Sequence, residues 1–317
     1  MPVKGKESTV REGLSAALPL CLGVGLLLNA KPVSAAVTES LALCTGVLLP
    51  SLFPFFVLSA LLCGSGGVRR LALRLDGFMG RLFGLPGTMA PALLLGAVGG
   101  YPVGARTVCQ LYEGGACTKA QAVSALRFCC NAGPAFVVSA IGTGLLGDGR
   151  LGLRLWLAHL AAALLIGVFF RGKSSAVKDI TITPISPNHP GNLTVFLQAV
   201  TGSVGTFLNV CAFVILFAVL LCLVGQLPMV SALPPLPAGL LYGVLELTGG
   251  AARLAAGGLP PTLLLSALSF LCGWGGLSVQ CQTVDLLQRA GLPCRGYLKA
   301  KLLHGLLAAA LTLLISR

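Results

Sequence analysis

Gly96-Ala97-Val98-Gly99-Gly100-Tyr101-Pro102 lies inside the uncharged run Leu82–Ala105. Proline has no backbone N–H to donate, and a Gly pair frees the chain from helical geometry, so a helix cannot pass through this stretch unbroken. The surrounding run is of the length, ~20 apolar residues, that crosses a bilayer. Unwound backbone in lipid leaves N–H and C=O groups unpaired at several kcal/mol each, so it persists only where protein buries it or where it lines a polar cavity. Three further runs are interrupted in the same way, at Asn131-Ala132-Gly133-Pro134, at Thr248-Gly249-Gly250 and at Gly273-Trp274-Gly275-Gly276. Paired helix breaks in two halves of a membrane chain point to a carrier's binding site. The alternative is that membrane helices carry Gly and Pro for close packing. Four interruptions favour the cavity.

Composition supports a membrane setting. Of 317 residues, 56% are hydrophobic and 10% charged, against ~25% charged in an ordinary soluble domain; mean hydropathy is +0.91. There are too few polar residues to cover a globular core, which excludes a soluble enzyme, a disordered regulator or a disulfide scaffold. The balance of 22 Lys+Arg over 9 Asp+Glu falls between apolar runs, as at Arg69, Arg70, Arg74 and Arg81 or Arg171, Lys173 and Lys178. That placement suits anionic headgroups; no RNA-binding signature or zinc-finger spacing accompanies it, so nucleic acid is not a partner. The 12 cysteines show no CxxC and behave as small hydrophobes in apolar runs, with no metal site implied.

Uncharged runs place the spans at Gly13–Ala30, Ser40–Val68, Leu82–Ala105, Phe128–Gly147, Leu155–Phe170, Leu193–Leu245, Leu254–Val284 and Leu302–Ser316. The first has the place of a signal-peptide core but is long for one, so a retained helix is the favoured reading over a cleaved signal. The expected fold is all-α and polytopic, with two structural repeats containing broken helices and re-entrant hairpins. A shift of 176 sets Gly99-Gly100 on Gly275-Gly276, Val103 on Val279, Thr107-Val108 on Thr283-Val284, Leu111 on Leu287 and Gly115 on Gly291, with Lys119 opposite Arg295. The organisation expected is an N-terminal region 1–40 with the first helix, repeat 1 over 41–170, a Pro- and Gly-bearing polar linker 171–192, and repeat 2 over 193–317. In both copies a Gly-Gly break opens a short helix that ends in Gly; Thr118 and Gln121 have capping-box spacing and Gly291 has the place of a C-cap. Leu71, Leu75, Phe78, Met79 and Leu82 form one face of an amphipathic interfacial helix, with Arg70, Arg74 and Arg81 opposite.

Pro50-Ser51-Leu52-Phe53-Pro54-Phe55-Phe56-Val57-Leu58-Ser59, Leu85-Pro86-Gly87, Gly99-Gly100-Tyr101-Pro102-Val103-Gly104-Ala105 and Cys130-Asn131-Ala132-Gly133-Pro134-Ala135-Phe136 together resemble the YlbJ-type sporulation integral membrane proteins, which contain the nucleoside-recognition Gate domain. The motifs cover about 45–145 closely and the second half more loosely. The resemblance implies a multi-pass membrane protein of an endospore-forming bacterium, located in the cell membrane or a forespore-associated one, that moves dipicolinate into the developing spore. Gate domains are similar in turn to concentrative nucleoside transporters and to ferrous-iron permeases, which implies two re-entrant hairpins and broken helices meeting near the midplane. Small and apolar residues replace the polar ones of nucleoside carriers at the first hairpin, which disfavours a nucleoside cargo.

The expected substrate-binding set is Gly99, Gly100, Tyr101, Pro102, Arg106, Asn131, Gly133, Pro134, Glu246, Gly275, Gly276, Gln280 and Gln282. Arg106, just past the hairpin, offers a planar fork for carboxylates, or snorkels to the interface, as Arg127 does. Asn131 with Gly133-Pro134 supplies an amide and free carbonyls, or glues two helices. Glu246 reads as a broken-helix acid that could couple to a proton or Na⁺; no other cofactor is implied. Asp285 reads as the i+4 partner of Arg289. His159 and His304 read as isolated packing or hydrogen-bonded residues rather than ligands. No GxSxG, HExxH, P-loop or paired carboxylates occur, so an enzyme is not expected. The function expected is a transporter or channel for a small organic anion, with the lipid bilayer and that solute as partners. The alternatives are a Gate-type carrier of a nucleoside or metal ion, or a non-transporting scaffold that assembles with copies of itself or with other sporulation membrane proteins.

Overall fold

The computed structural model describes residues 17, 19–64, 67–171 and 192–315. The 171–192 linker and the start of the expected first helix therefore lie almost wholly outside the described residues. Within them the fold is all-helical. Five helical stretches are long and apolar enough to cross a membrane: Ala30–Gly64, Gly149–Phe169, Leu193–Gly225, Pro261–Arg289 and Arg295–Ile315. Their lipid-facing sides expose large apolar residues such as Leu193, Phe196, Leu208 and Leu306, as expected of chain that meets acyl tails rather than water.

After α1 (Pro19–Leu28) the first long stretch comprises α2 (Ala30–Leu43), a π-helical turn (Cys44–Leu48) and α3 (Leu49–Gly64). Pro54 sits inside α3. Ser59 on α3 meets Thr107 Oγ1 and Gln110 Oε1, both at 2.8 Å. α4 (Gly67–Phe83) is the expected amphipathic helix, with Arg70, Arg74 and Arg81 exposed and Met79 and Phe83 buried. The chain then bends by 97° into Gly87–Gly99. Leu82–Ala105 is thus not one span. It divides at Gly84-Leu85-Pro86 between the amphipathic α4 and α5 (Ala90–Gly99).

α5 and α6 (Val103–Glu113) form a tight hairpin. Its tip is Gly100-Tyr101-Pro102, with Gly100 at φ +78° and a cis Tyr101–Pro102 bond. Its arms meet at Gly96 and Gly104, where a Cβ on Gly104 would stand 3.0 Å from Gly96 Cα. α7 (Lys119–Leu126) opens with the Thr118/Gln121 capping box. The chain is then unwound as far as Pro134 and resumes as a π-helical segment (Ala135–Leu145). α8 (Gly149–Phe169) follows, capped by Asp148.

The second half runs through α9 (Asn192–Gly225) and the short α10 (Pro228–Ser231). α11 (Pro235–Leu245) and α12 (Leu247–Ala256) form a second hairpin with Glu246 as its tip. Gly243 and Gly250 touch across it, since a Cβ on Gly250 would lie 2.0 Å from Gly243 Cα. α13 (Pro261–Trp274) and α14 (Gly276–Arg289) together make one span, interrupted at Gly275 (φ +90°) and Gly276 (φ +79°). α15 (Arg295–Ile315) packs closely on α13, Gly305 against Gly273. Leu193–Leu245 thus holds one span plus the first arm of a hairpin. The two Gly-Gly pairs matched by the 176-residue shift occupy different settings: Gly99-Gly100 turns a hairpin, while Gly275-Gly276 interrupts a span without reversing it.

Candidate functional site

A mainly apolar cavity of about 120 Å³ lies where these irregular segments converge. The first hairpin gives it Val98, Gly99, Gly100 and Tyr101, and the first break gives Gly133, Ala135 and Phe136. The second hairpin tip gives Glu246, Leu247 and Thr248, and α14 just beyond the second break gives Ser278, Val279 and Gln282. α2 and α3, with the π-turn between them, and α9 close it with residues such as Leu43, Val47, Phe55 and Val214.

Backbone contact holds the two breaks beside the two tips. A Cβ on Gly100 would lie 3.0 Å from Gly133 N, and one on Gly276 would lie 2.9 Å from Leu247 N. Only glycine permits these approaches at positive φ. Two tryptophans, the chain's full complement, brace the same regions. Trp156 Nε1 donates to Ala132 O at 3.2 Å and Trp274 Nε1 to Val244 O at 3.1 Å. The Tyr101 hydroxyl donates to Cys272 O on α13.

Of the expected binding set, Gly99, Gly100, Tyr101, Gly133, Glu246 and Gln282 line the cavity. Pro102 and Pro134 stand at the N-caps of the helical segments that follow them. Gly275 touches the Tyr101 ring and Gly276 the Glu246 backbone, one layer behind the wall. Asn131 is buried, its Nδ2 donating to Phe128 O at 2.9 Å while its Oδ1 has no partner. Gln280 turns back to Trp274 O, leaving its Oε1 unpartnered. Arg106 lies away from the cavity wall, 3.3 Å from Ser203 Oγ with its guanidinium over the Phe56 ring.

Glu246 combines two tasks. Its Oε1 accepts from Thr248 N at 2.9 Å and its Oε2 from Gly249 N at 2.7 Å, so the carboxylate caps α12 while facing the cavity. Negative charge at a helix N-terminus is favourable there. Asp285 pairs with Arg289 at 3.0 Å, the i+4 geometry expected, and also accepts from Asn209 Nδ2 at 3.1 Å. Arg127 lies over the Phe170 ring. Among the described residues no group of acidic, His or Cys side chains is arranged to hold a metal ion.

The structure groups three residues that sequence spacing left separate. His159 and His304 are not isolated: their ring centroids are 4.3 Å apart, and Lys301 joins them from one turn earlier on α15. All three are fully buried. The available signal was the cost of a Lys, a His and a Trp on apolar helices, each of which needs a partner.

Comparison with known proteins fits this architecture. Residues 46–149 match the family described as Gate, nucleoside recognition; the segment runs from the π-turn through the first hairpin and the first break. The chain is 28% identical over 302 residues to the sporulation integral membrane protein YlbJ of Bacillus subtilis (strain 168), a match covering 85% of this chain and 74% of that protein. No solved structure matches the chain. With its apolar spans, the chain is a multi-pass membrane protein that is similar to YlbJ and matches the Gate nucleoside-recognition model over residues 46–149.

Proposed function

We propose that this protein is a membrane transporter for a small organic anion, working through the cavity at which both hairpin tips and both helix breaks meet. That convergence carries the reading. A structural scaffold gains nothing from placing four irregular segments at one point inside the membrane, whereas a carrier needs backbone groups freed from helical pairing beside its solute.

Element order supports two repeats. Each half has a long helix, a hairpin, a broken helix and a closing helix: α3, α5–α6, α7 with the 135–145 segment, and α8; then α9, α11–α12, α13–α14 and α15. In this register His159 corresponds to His304, 145 residues on. Arg150 then falls on Arg295, Leu153 on Leu298, Leu157 on Leu302 and Ala163 on Ala308. The arrangement agrees with the concentrative-nucleoside-transporter-like fold that the resemblance implies.

Charge at the cavity favours an anion. α6, the 135–145 segment and α14 begin at or beside cavity-lining residues, so three positive helix ends lie beside it, while Glu246 already occupies the fourth, at α12. The lining itself is mainly apolar, which suits a ring bearing carboxylates at its edge more than a hydrated metal ion. The sporulation name and the Bacillus subtilis source of the relative support dipicolinate as the cargo and the cell membrane of an endospore former as the location. The test is uptake by purified protein in liposomes, with dipicolinate, a nucleoside and Fe²⁺ offered side by side. Uptake of dipicolinate above the other two is the expected result; uptake of the nucleoside or Fe²⁺ in its place would replace the anion assignment.

A further inference from the structure

Behind the cavity lies a basic network with no acidic partner. Lys301 Nζ donates to Cys130 O at 2.6 Å and lies 2.9 Å from His304 Nδ1. His304 Nε2 is 2.9 Å from His159 O. A carbonyl only accepts, so the partners assign the hydrogen to Nε2 and leave Nδ1 to accept from Lys301. His159 Nε2 accepts from Ala132 N at 3.0 Å, which places its hydrogen on the unpartnered Nδ1. The ammonium also faces the Tyr101 ring, 5.3 Å from its centroid, and Tyr101 is itself part of the cavity wall.

We infer that Lys301 and His304 together hold one transferable proton, and that this pair is the proton site coupled to the cavity through Tyr101 and the unwound backbone at Cys130–Ala132. Two placements of one proton satisfy the same contacts. On Lys301, the ammonium donates to Cys130 O and to His304 Nδ1. On His304, the imidazolium donates from Nδ1 to the lysine lone pair and from Nε2 to His159 O, while the neutral amine still donates to Cys130 O. A second proton would set two cations 2.9 Å apart in a water-poor interior. The other titratable groups around the pair are Cys130 on the unwound segment, Cys272 on α13, Tyr101 at the hairpin tip, Tyr297 on α15 and His159 on α8. None of these is a carboxylate, and the one ion pair among the described residues is Arg289–Asp285.

Glu246, the carboxylate that faces the cavity, is engaged by the α12 amides, so the positive charge is left for an anion in the cavity to balance, across Tyr101. By linkage, a bound anion favours the protonated pair and the protonated pair favours the anion, each by the same factor. Bracing the unwound carbonyls does not by itself explain the lysine. Trp156, three residues before His159 as Lys301 is three before His304, donates to Ala132 O with an uncharged N–H. That carbonyl needs a donor, not a charge.

The coupling rests on the transport reading, but the proton site can be tested apart from it. In detergent, ¹⁵N-lysine- and ¹⁵N-histidine-labelled protein is titrated from about pH 5 to about pH 10 and followed by NMR. Lys301 Nζ and His304 Nδ1 are expected to shift together in one step, as coupled groups do, with His304 carrying its hydrogen on Nε2. Two separate steps, or no change in either, would overturn the proton site whatever the protein transports. In liposomes at clamped membrane potential, one proton carried in with each solute raises dipicolinate accumulation about tenfold per pH unit by which the outside is the more acid, and Lys301→Met loses that response. Wild-type uptake indifferent to the gradient, or a wild-type response in Lys301→Met, would overturn the coupling and leave transport standing. If Lys301→Met does not insert, His304→Gln takes its place in the liposome arm, and the titration uses the wild type throughout. No uptake by folded wild-type protein overturns the transport reading, and the coupling with it, while the titration still decides the site.

Discussion

At the scale of single residues, glycine decides how closely the irregular segments approach. Gly96 and Gly104, on opposite arms of the first hairpin, both press on one atom: a Cβ on either would fall 1.9 or 1.8 Å from the Cys129 carbonyl oxygen. The hairpin thus grips the unwound chain just before Asn131. Gly104→Ala should destabilise the protein by about 1–3 kcal/mol, since backbone has to move to admit the methyl. Gly202→Ala on α9, where nothing lies within 4 Å, should be neutral or stabilise by about 0.5–1 kcal/mol. Thermal unfolding in detergent checks both, and equal effects would contradict this account of the hairpin grip. The glycine pattern was legible in sequence because Gly-Gly-Tyr-Pro is a local signal, and so was the Thr118/Gln121 capping box. The target of Gly96 and Gly104 was not, and neither was the Lys301–His304–His159 network. Its members meet because α8 packs on α15, and no local spacing encodes a contact 145 residues away.

At the scale of elements, the sequence identified where helices stop but not what they do next. Gly99-Gly100 and Gly275-Gly276 look alike as strings. The first reverses direction because Gly96 and Gly104 let two short helices fold face to face. The second continues in one span, with Gly273 held against Gly305 on α15. Positive φ permits either outcome, and packing chooses between them. The second hairpin turns at a Glu instead, and its carboxylate replaces the amide partners that a helix start lacks. Glu246→Ala should therefore cost about 0.5–2 kcal/mol and speed hydrogen exchange at the Thr248 and Gly249 amides, with Glu246→Gln milder in both. Exchange at those two amides unchanged in Glu246→Ala would show that the cap does not hold the tip. Expected spans such as Leu82–Ala105 dissolved for a related reason: hydropathy records that a segment avoids water, not whether it crosses the bilayer or folds back within it.

At the scale of the whole molecule, composition alone gave the solvent. A chain with 10% charged residues has to present its apolar surface to lipid, and α9 and α15 do so along much of their lengths. The cavity position was also foreshadowed, because backbone breaks in a membrane chain need a shared reason to exist. Its walls were only partly legible. α2 and the π-turn contribute Leu43, Val47 and Leu48, which carry no sequence signal beyond apolarity, and Arg106, the most conspicuous charge near the first hairpin, packs on Phe56 and Ser203 outside it. The proposed transport takes solute through the cavity that Gly100 and Gly133 line. Its most direct test is dipicolinate uptake into liposomes by wild type, Gly100→Leu and Gly202→Leu, each confirmed as folded. Gly100→Leu forces a side chain against Gly133 at positive φ and should abolish uptake, while Gly202→Leu, in open space on α9, keeps it. Uptake by Gly100→Leu at the wild-type rate would show that the solute does not pass this site.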